Sequence, residues 1–172
     1  IEDLTTFDME YLFLKLRAKS VGNVIELKYR DPEDSLQYDV TIDLDDVQIK
    51  FNENHNKKIE ITPTSGIILK YPKADMADSI SPDIKTEVEL MFELMKYCID
   101  KVYDADDVYN VSEGSKEDLD EFLDNLDVTT MKKIQEFMET MPKLYHEAEY
   151  TTKTGEHKKI VLQTLNDFFT LR

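Results

Sequence analysis

Few residues in this chain have the types that do chemistry, and their spacing can be weighed one group at a time. The histidines are His55, His146 and His157. His146-Glu147-Ala148-Glu149 opens like a zinc-protease motif, but the second histidine that would share a helix face with the first is missing. His146 and His157 could instead face each other across a C-terminal hairpin. A metal pair would need further ligands that the sequence does not offer, so two histidines on strand surfaces is the simpler reading. Asp104, Asp106 and Asp107 resemble the start of a calcium loop. That loop needs an oxygen ligand at its fifth position and glycine at its sixth, where this chain has Val108 and Tyr109, so the segment reads as a solvated acidic linker. Cys98, the single cysteine, excludes an internal disulfide and a cysteine-based zinc site. Nothing beside it would lower its pKa, so it reads as a small buried hydrophobe, compatible with a reducing compartment. There is no nucleophile elbow, no Walker A and no dinucleotide loop, and four glycines leave little room for one. No catalytic, cofactor-binding or metal-binding residue is assigned, and the chain is not expected to be an enzyme.

Charge narrows the field further. The 172 residues include 21 basic and 37 acidic side chains, a formal net charge of −16. Binding nucleic acid requires lysine and arginine to neutralise phosphates, and an anionic membrane surface repels such a chain. No apolar run approaches the roughly 20 residues of a transmembrane helix. Residues 100–127 hold eleven acids and only Lys101 and Lys116 as bases. That stretch is either a solvated helical face with its linker or a docking surface for a basic partner.

The elements that would carry these residues follow from periodicity. Phe7–Gly22 has Phe7, Tyr11, Leu14, Ala18 and Val21 at helical spacing, and Leu12, Phe13 and Leu16 widen the stripe to more than one face. Val24–Arg30, Tyr38–Leu44, Val47–Phe51, Lys58–Thr62 and Gly66–Pro72 alternate or run apolar between turn-rich stretches, which predicts antiparallel strands. Ser81–Tyr103 reads as one helix, with Ser81 as cap, Pro82 in the first turn and Ile84, Val88, Met91, Phe92, Met95, Ile99 and Val102 as its stripe. Two more helices are predicted, at Ser115–Leu126 (Leu119, Phe122, Leu123, Leu126) and Val128–Met141 (Met131, Ile134, Phe137, Met138, Met141). Leu144–Leu162 predicts two strands around Thr154-Gly155, with a short helical turn near Asn166–Phe169. The fold class is therefore α+β: an N-terminal helix packed on an antiparallel β-sheet, about three helices, then a C-terminal β-hairpin with a short helix. The segments are 1–72, 73–142 and 143–172, within one compact unit.

Several blocks carry a resemblance. FDMEYLFLKLRAKSVGNVIELKY (Phe7–Tyr29), VQIKFNENHNKKIEIT (Val47–Thr62), IILKYP (Ile67–Pro72), KIQEFMETMPKL (Lys133–Leu144) and LNDFF (Leu165–Phe169) occur in order along nearly the whole chain. Together they resemble the T-even-type bacteriophage baseplate hub protein family. The resemblance implies a subunit of the central baseplate hub, or an assembly factor for it, acting by protein–protein recognition. It implies other hub or tail proteins as partners, the tape-measure protein among the candidates, and a place in the host cytoplasm during assembly or in the virion tail. It supplies no catalytic residue and no cofactor. Family members carry some tens of residues before the first helix, so an upstream N-terminal segment is expected to be missing here. Some relatives have a Cys-x-x-Cys-Gly knuckle where this chain has Thr151, Thr154 and Gly155, so a metal role does not carry over. Phe122, Met131, Phe137 and Met138, with Asp118 and Glu121, are the candidate partner-binding residues. The alternatives are a chaperone that shields the tape-measure protein, or an acidic nucleic-acid mimic that inhibits a host DNA-binding protein.

Overall fold

Alternating apolar and charged residues can satisfy an antiparallel ladder and one buried face at once, and the longer strands of this chain use that solution. The computed structural model describes residues 3–76, 80 and 84–169. Helix α1 (Thr6–Val21) precedes strands β1 (Val24–Arg30), β2 (Gln37–Asp43), β3 (Gln48–Lys50), β4 (Lys58–Glu60) and β5 (Gly66–Leu69). Then come α2 (Glu87–Cys98), β6 (Ile99–Tyr103), β7 (Val108–Asn110) and a 3-10 turn at Val111–Glu113. Helices α3 (Lys116–Asp124) and α4 (Val128–Thr140), strands β8 (Lys143–Thr151) and β9 (His157–Leu162) and a 3-10 turn at Leu165–Phe168 complete the order. The described residues thus form an α+β fold with four α-helices and three antiparallel sheets, ordered β1-β2, β3-β8-β9 and β4-β5-β6-β7.

The chain folds into two compact units, Phe7–Phe51 with Pro142–Arg172, and Ile1–Thr6 with Asn52–Met141. The linear division at 72/73 and 142/143 cuts across them. Strands β4 and β5 join the helices that follow, and the C-terminal hairpin joins the N-terminal strands. The cause is a long-range pairing, Ile49 opposite Leu144 in the β3–β8 ladder.

In the two-sheet unit, Tyr38, Val40 and Ile42 of β2 point inward while Gln37, Asp39 and Thr41 point out. They meet Leu144, Ala148 and Tyr150 of β8, Ile160 and Leu162 of β9, Phe168, and Leu14 and Ala18 of α1 in one core. The expected packing of the first helix on antiparallel strands is therefore present, and so is the C-terminal hairpin. The Lys15 ammonium donates to the carbonyls of Leu44 (2.9 Å) and Asp45 (2.8 Å). The second face expected for α1 stays open, with Phe13 and Leu16 51% and 59% exposed.

A buried carboxylate joins the β1–β2 loop to the β8–β9 hairpin. Asp31 is 1% exposed. It accepts from the Glu33 backbone N–H at 2.8 Å, the Tyr150 hydroxyl at 2.8 Å and the Lys158 ammonium at 3.0 Å. Lys158 also reaches Glu33 at 2.6 Å. The Glu33 amide, ahead of Tyr150 and Lys158, holds the Asp31 carboxyl below its ordinary value. Glu33 and then Asp31 push Lys158 up, while burial followed by Asp31 pushes the Tyr150 phenol up to about 12. The Tyr150 ring packs on Tyr29 and Tyr38 at centroid distances of 5.3 and 5.2 Å.

In the helical unit, α2, α3 and α4 pack on the four-stranded sheet around Ile59, Ile67, Leu69, Met95, Cys98, Ile99, Leu123, Ile134 and Phe137. The single helix expected over Ser81–Tyr103 is corrected here. Ser81, Pro82 and Asp83 lie outside the described residues, and the cap is Thr86, whose hydroxyl accepts from Glu89 N–H while Glu89 accepts from Thr86 N–H. The helix ends at Cys98, and Ile99 and Val102 lie in β6. Pairing with β5, Leu69 opposite Ile99 and Ile67 opposite Val102, overrides the helical pattern. Gly66 has a clear reason to lack a side chain. A Cβ there would lie 2.2 Å from the Ile59 carbonyl oxygen and 2.5 Å from the Tyr103 hydroxyl, on the flanking strands.

Three outcomes are expected. Gly66→Ala lowers stability by about 1–3 kcal/mol in denaturant titration, because a carbonyl in a ladder cannot step aside. Gly114→Ala, which would meet only the Val111 carbonyl at 3.6 Å, changes it little. Asp31→Asn separates the pH dependence. A carboxylate held low stabilises above its unfolded pKa, 3.8, and that stability is lost as pH falls through the folded value. The mutant's thermal midpoint therefore falls below wild type at about pH 7, and the gap narrows towards about pH 3.

Candidate functional site

The β6–β7 hairpin builds the most distinctive surface feature, and its turn is made of acids. The Asp104 side chain accepts from the N–H groups of Asp106 (3.1 Å) and Asp107 (3.0 Å), and Asp104 N–H donates to the Asp107 carbonyl at 3.0 Å. The expected acidic linker is thus a tight turn in which a carboxylate satisfies backbone donors. It sets Tyr103 opposite Val108 and Val102 opposite Tyr109. The chain then passes through the 3-10 turn to Ser115, the N-cap of α3. Ser115 accepts from Asp118 N–H at 3.1 Å, and Asp118 accepts from Ser115 N–H at 3.2 Å. The Ser115 hydroxyl, and then the Ser115 backbone N–H, hold the Asp118 carboxyl below its ordinary value.

Between hairpin and helix lies a groove of about 290 Å³. Val102, Tyr109, Val111, Leu119 and Phe122 supply most of its wall, with Asn110, Gly114, Ser115 and Asp118 completing it. Among the described residues, no lysine, arginine or histidine lines it. Asp104 and then Asp107 push the Tyr109 phenol up, which registers the negative field at that end.

The residues singled out from sequence are placed unevenly. Phe122 and Asp118 line the groove, and Glu121 is exposed on the same helix. Met131 and Met138 are half-buried against the core of the helical unit. Phe137 is 2% exposed, with its ring 4.8 Å from His55 and 6.0 Å from Tyr71, so it packs the core and offers no surface to a partner. The groove residues Val102, Tyr109 and Val111 were not legible as a site, because the stretch that carries them was read as helix end and linker. The one available signal was the β-favouring run Val108-Tyr109 beyond an aspartate-rich turn.

The chemistry-bearing residues sit apart. His146 pairs with Leu162 and His157 with Thr151, so the two histidines do not face each other across the hairpin. His157 Nδ1 lies 3.1 Å from Thr151 Oγ1, and Thr152 and Thr154 share a hydroxyl contact of 2.9 Å. Thr140 Oγ1 donates to the Glu136 carbonyl, which leaves His55 Nδ1–H as donor to Thr140 at 2.9 Å and His55 Nε2 buried without a partner. Burial, then the Lys57 charge, holds His55 below its ordinary value. Cys98 is 1% exposed, and burial pushes its thiol up to about 11. Among the described residues, no group of three or more His, Cys, Asp or Glu is placed to hold a metal ion. No helix among them is long and apolar enough to cross a membrane.

The groove depends on the cap of α3. Ser115→Ala is expected to cost about 1 kcal/mol by urea titration, with increased hydrogen exchange confined to Lys116–Leu119.

Residues 1–170 match the family described as T4 bacteriophage base plate protein. No match is found among curated proteins or among solved structures. The match covers both units, including the groove and the buried Asp31 anchor. The chain belongs to the T4 bacteriophage base plate protein family.

Proposed function

We propose that this chain is a subunit of the central hub of the baseplate, or a factor that assembles it, and that it works by binding other tail proteins without turning over a substrate. The observation that carries the reading is the family match over residues 1–170. Family membership gives the coarser frame: a bacteriophage protein whose place is the tail and whose neighbours are other phage structural proteins. The surface is consistent with such a role. It offers an apolar groove and an open apolar face on α1.

The apolar groove also supports the second reading, an assembly chaperone that shields the tape-measure protein and then leaves. The mimic reading is weaker. Mimicry needs carboxylates free and arrayed at phosphate spacing, whereas Asp31, Asp104, Asp118, Asp127 and Asp167 bind the chain's own backbone N–H groups.

The test is gradient fractionation of infected cells with quantitative mass spectrometry of each fraction and of purified virions. The chain is expected to cosediment with hub intermediates. A fixed copy number per virion identifies a subunit, and presence in intermediates alone identifies an assembly factor. Sedimentation only as free protein, or with complexes lacking tail proteins, would contradict both.

A further inference from the structure

The groove between the β6–β7 hairpin and α3 combines two properties that select an occupant. Its wall is largely apolar and open to solvent, with Tyr109 54% exposed. Burying such surface is favourable in proportion to the area removed from water. At about 290 Å³ it suits a few apolar side chains better than a large cofactor. The one charged residue in its lining is an acid, Asp118, and further acids stand close: Glu113 accepts from the lining Asn110 at 2.9 Å, and the Asp104–Asp107 turn acts on Tyr109. β7, at one side of the groove, is an edge strand of its sheet.

We propose that this groove is the docking site for a short apolar segment flanked by lysine or arginine on another chain of the baseplate. The inference rests on the baseplate reading above and adds the chemistry of the partner. Charge complementarity excludes the competing occupants. A second copy of this chain carries −16 and would be repelled by the acids around the groove, and nucleic acid would be repelled for the same reason. A purely apolar segment would leave the carboxylates around the groove facing low-dielectric surface without partners, which costs free energy. Basic flanks turn that cost into charge-assisted contacts and speed the encounter.

The experiment places the photoreactive residue p-benzoylphenylalanine at Tyr109, and separately at the exposed control position Val161 on β9, in the full chain during infection. Cross-linked peptides are identified by mass spectrometry. The expected result is a cross-link from position 109 to one phage tail or assembly protein, at a peptide with apolar residues between lysines or arginines. Adding Asp107→Lys and Glu113→Lys should cut its yield about tenfold, with the circular dichroism spectrum unchanged. The proposal is overturned by an acidic or uncharged target peptide, by a yield indifferent to charge reversal, or by no cross-link from position 109 while infectious phage still form. Those failures leave the baseplate reading intact wherever the chain still cosediments with hub intermediates; loss of that cosedimentation is the separate failure of the reading itself.

Discussion

Each sheet in this chain is narrow and antiparallel, so it can bury only one face, and helices or a second sheet must cover that face. Everything else follows from this constraint. In one unit, β2 buries Tyr38, Val40 and Ile42 against the three-stranded sheet and α1. In the other, three helices cover the four-stranded sheet. With no disulfide, two modest cores have to be made unique by polar contacts. Asp31 does this in the first: one carboxylate holds a loop amide, a tyrosine from β8 and a lysine from β9. A buried charge is tolerated only when so fully paired, and each contact specifies the position of the hairpin against the loop.

The same constraint explains where the acids go. Outward strand positions and helix surfaces must be polar, and a net charge of −16 is distributed over them. Many of these carboxylates also do local work. Glu89, Asp118 and Asp167 complete capping boxes, while Asp34, Asp43 and Asp104 satisfy amides in turns. With few glycines to make turns, acid side chains supply the hydrogen bonds that shape them. The groove is where this economy leaves apolar surface uncovered beside a concentration of negative charge, and that combination is what a recognition protein presents.

Local periodicity carried far into the fold. The alternation of Tyr38–Leu44, the tail hairpin around Gly155 and the stripes of α3 and α4 were all legible, because each is decided within one element. What failed was decided between elements. Ile99 and Val102 continue the spacing of Met91 and Met95, and only the ladder with β5 turns them into a strand. Asp31 and Tyr150 are 119 residues apart, and no spacing rule connects them. Of the candidate site, Phe122 and Asp118 were visible as members of an acidic amphipathic helix, whereas Tyr109 depended on a hairpin whose turn looked like a linker. Phe137 proves buried, and helical spacing shows that a residue shares a face without showing whether that face is covered.

The account stands or falls on whether the chain builds the baseplate. The most direct measurement is electron microscopy of particles made by a phage carrying a nonsense codon in this gene, grown with and without a suppressor. The account predicts that without suppression tails lack complete baseplates and that hub intermediates accumulate, with normal particles restored by suppression. Intact, infectious tails formed in the absence of the chain would contradict it.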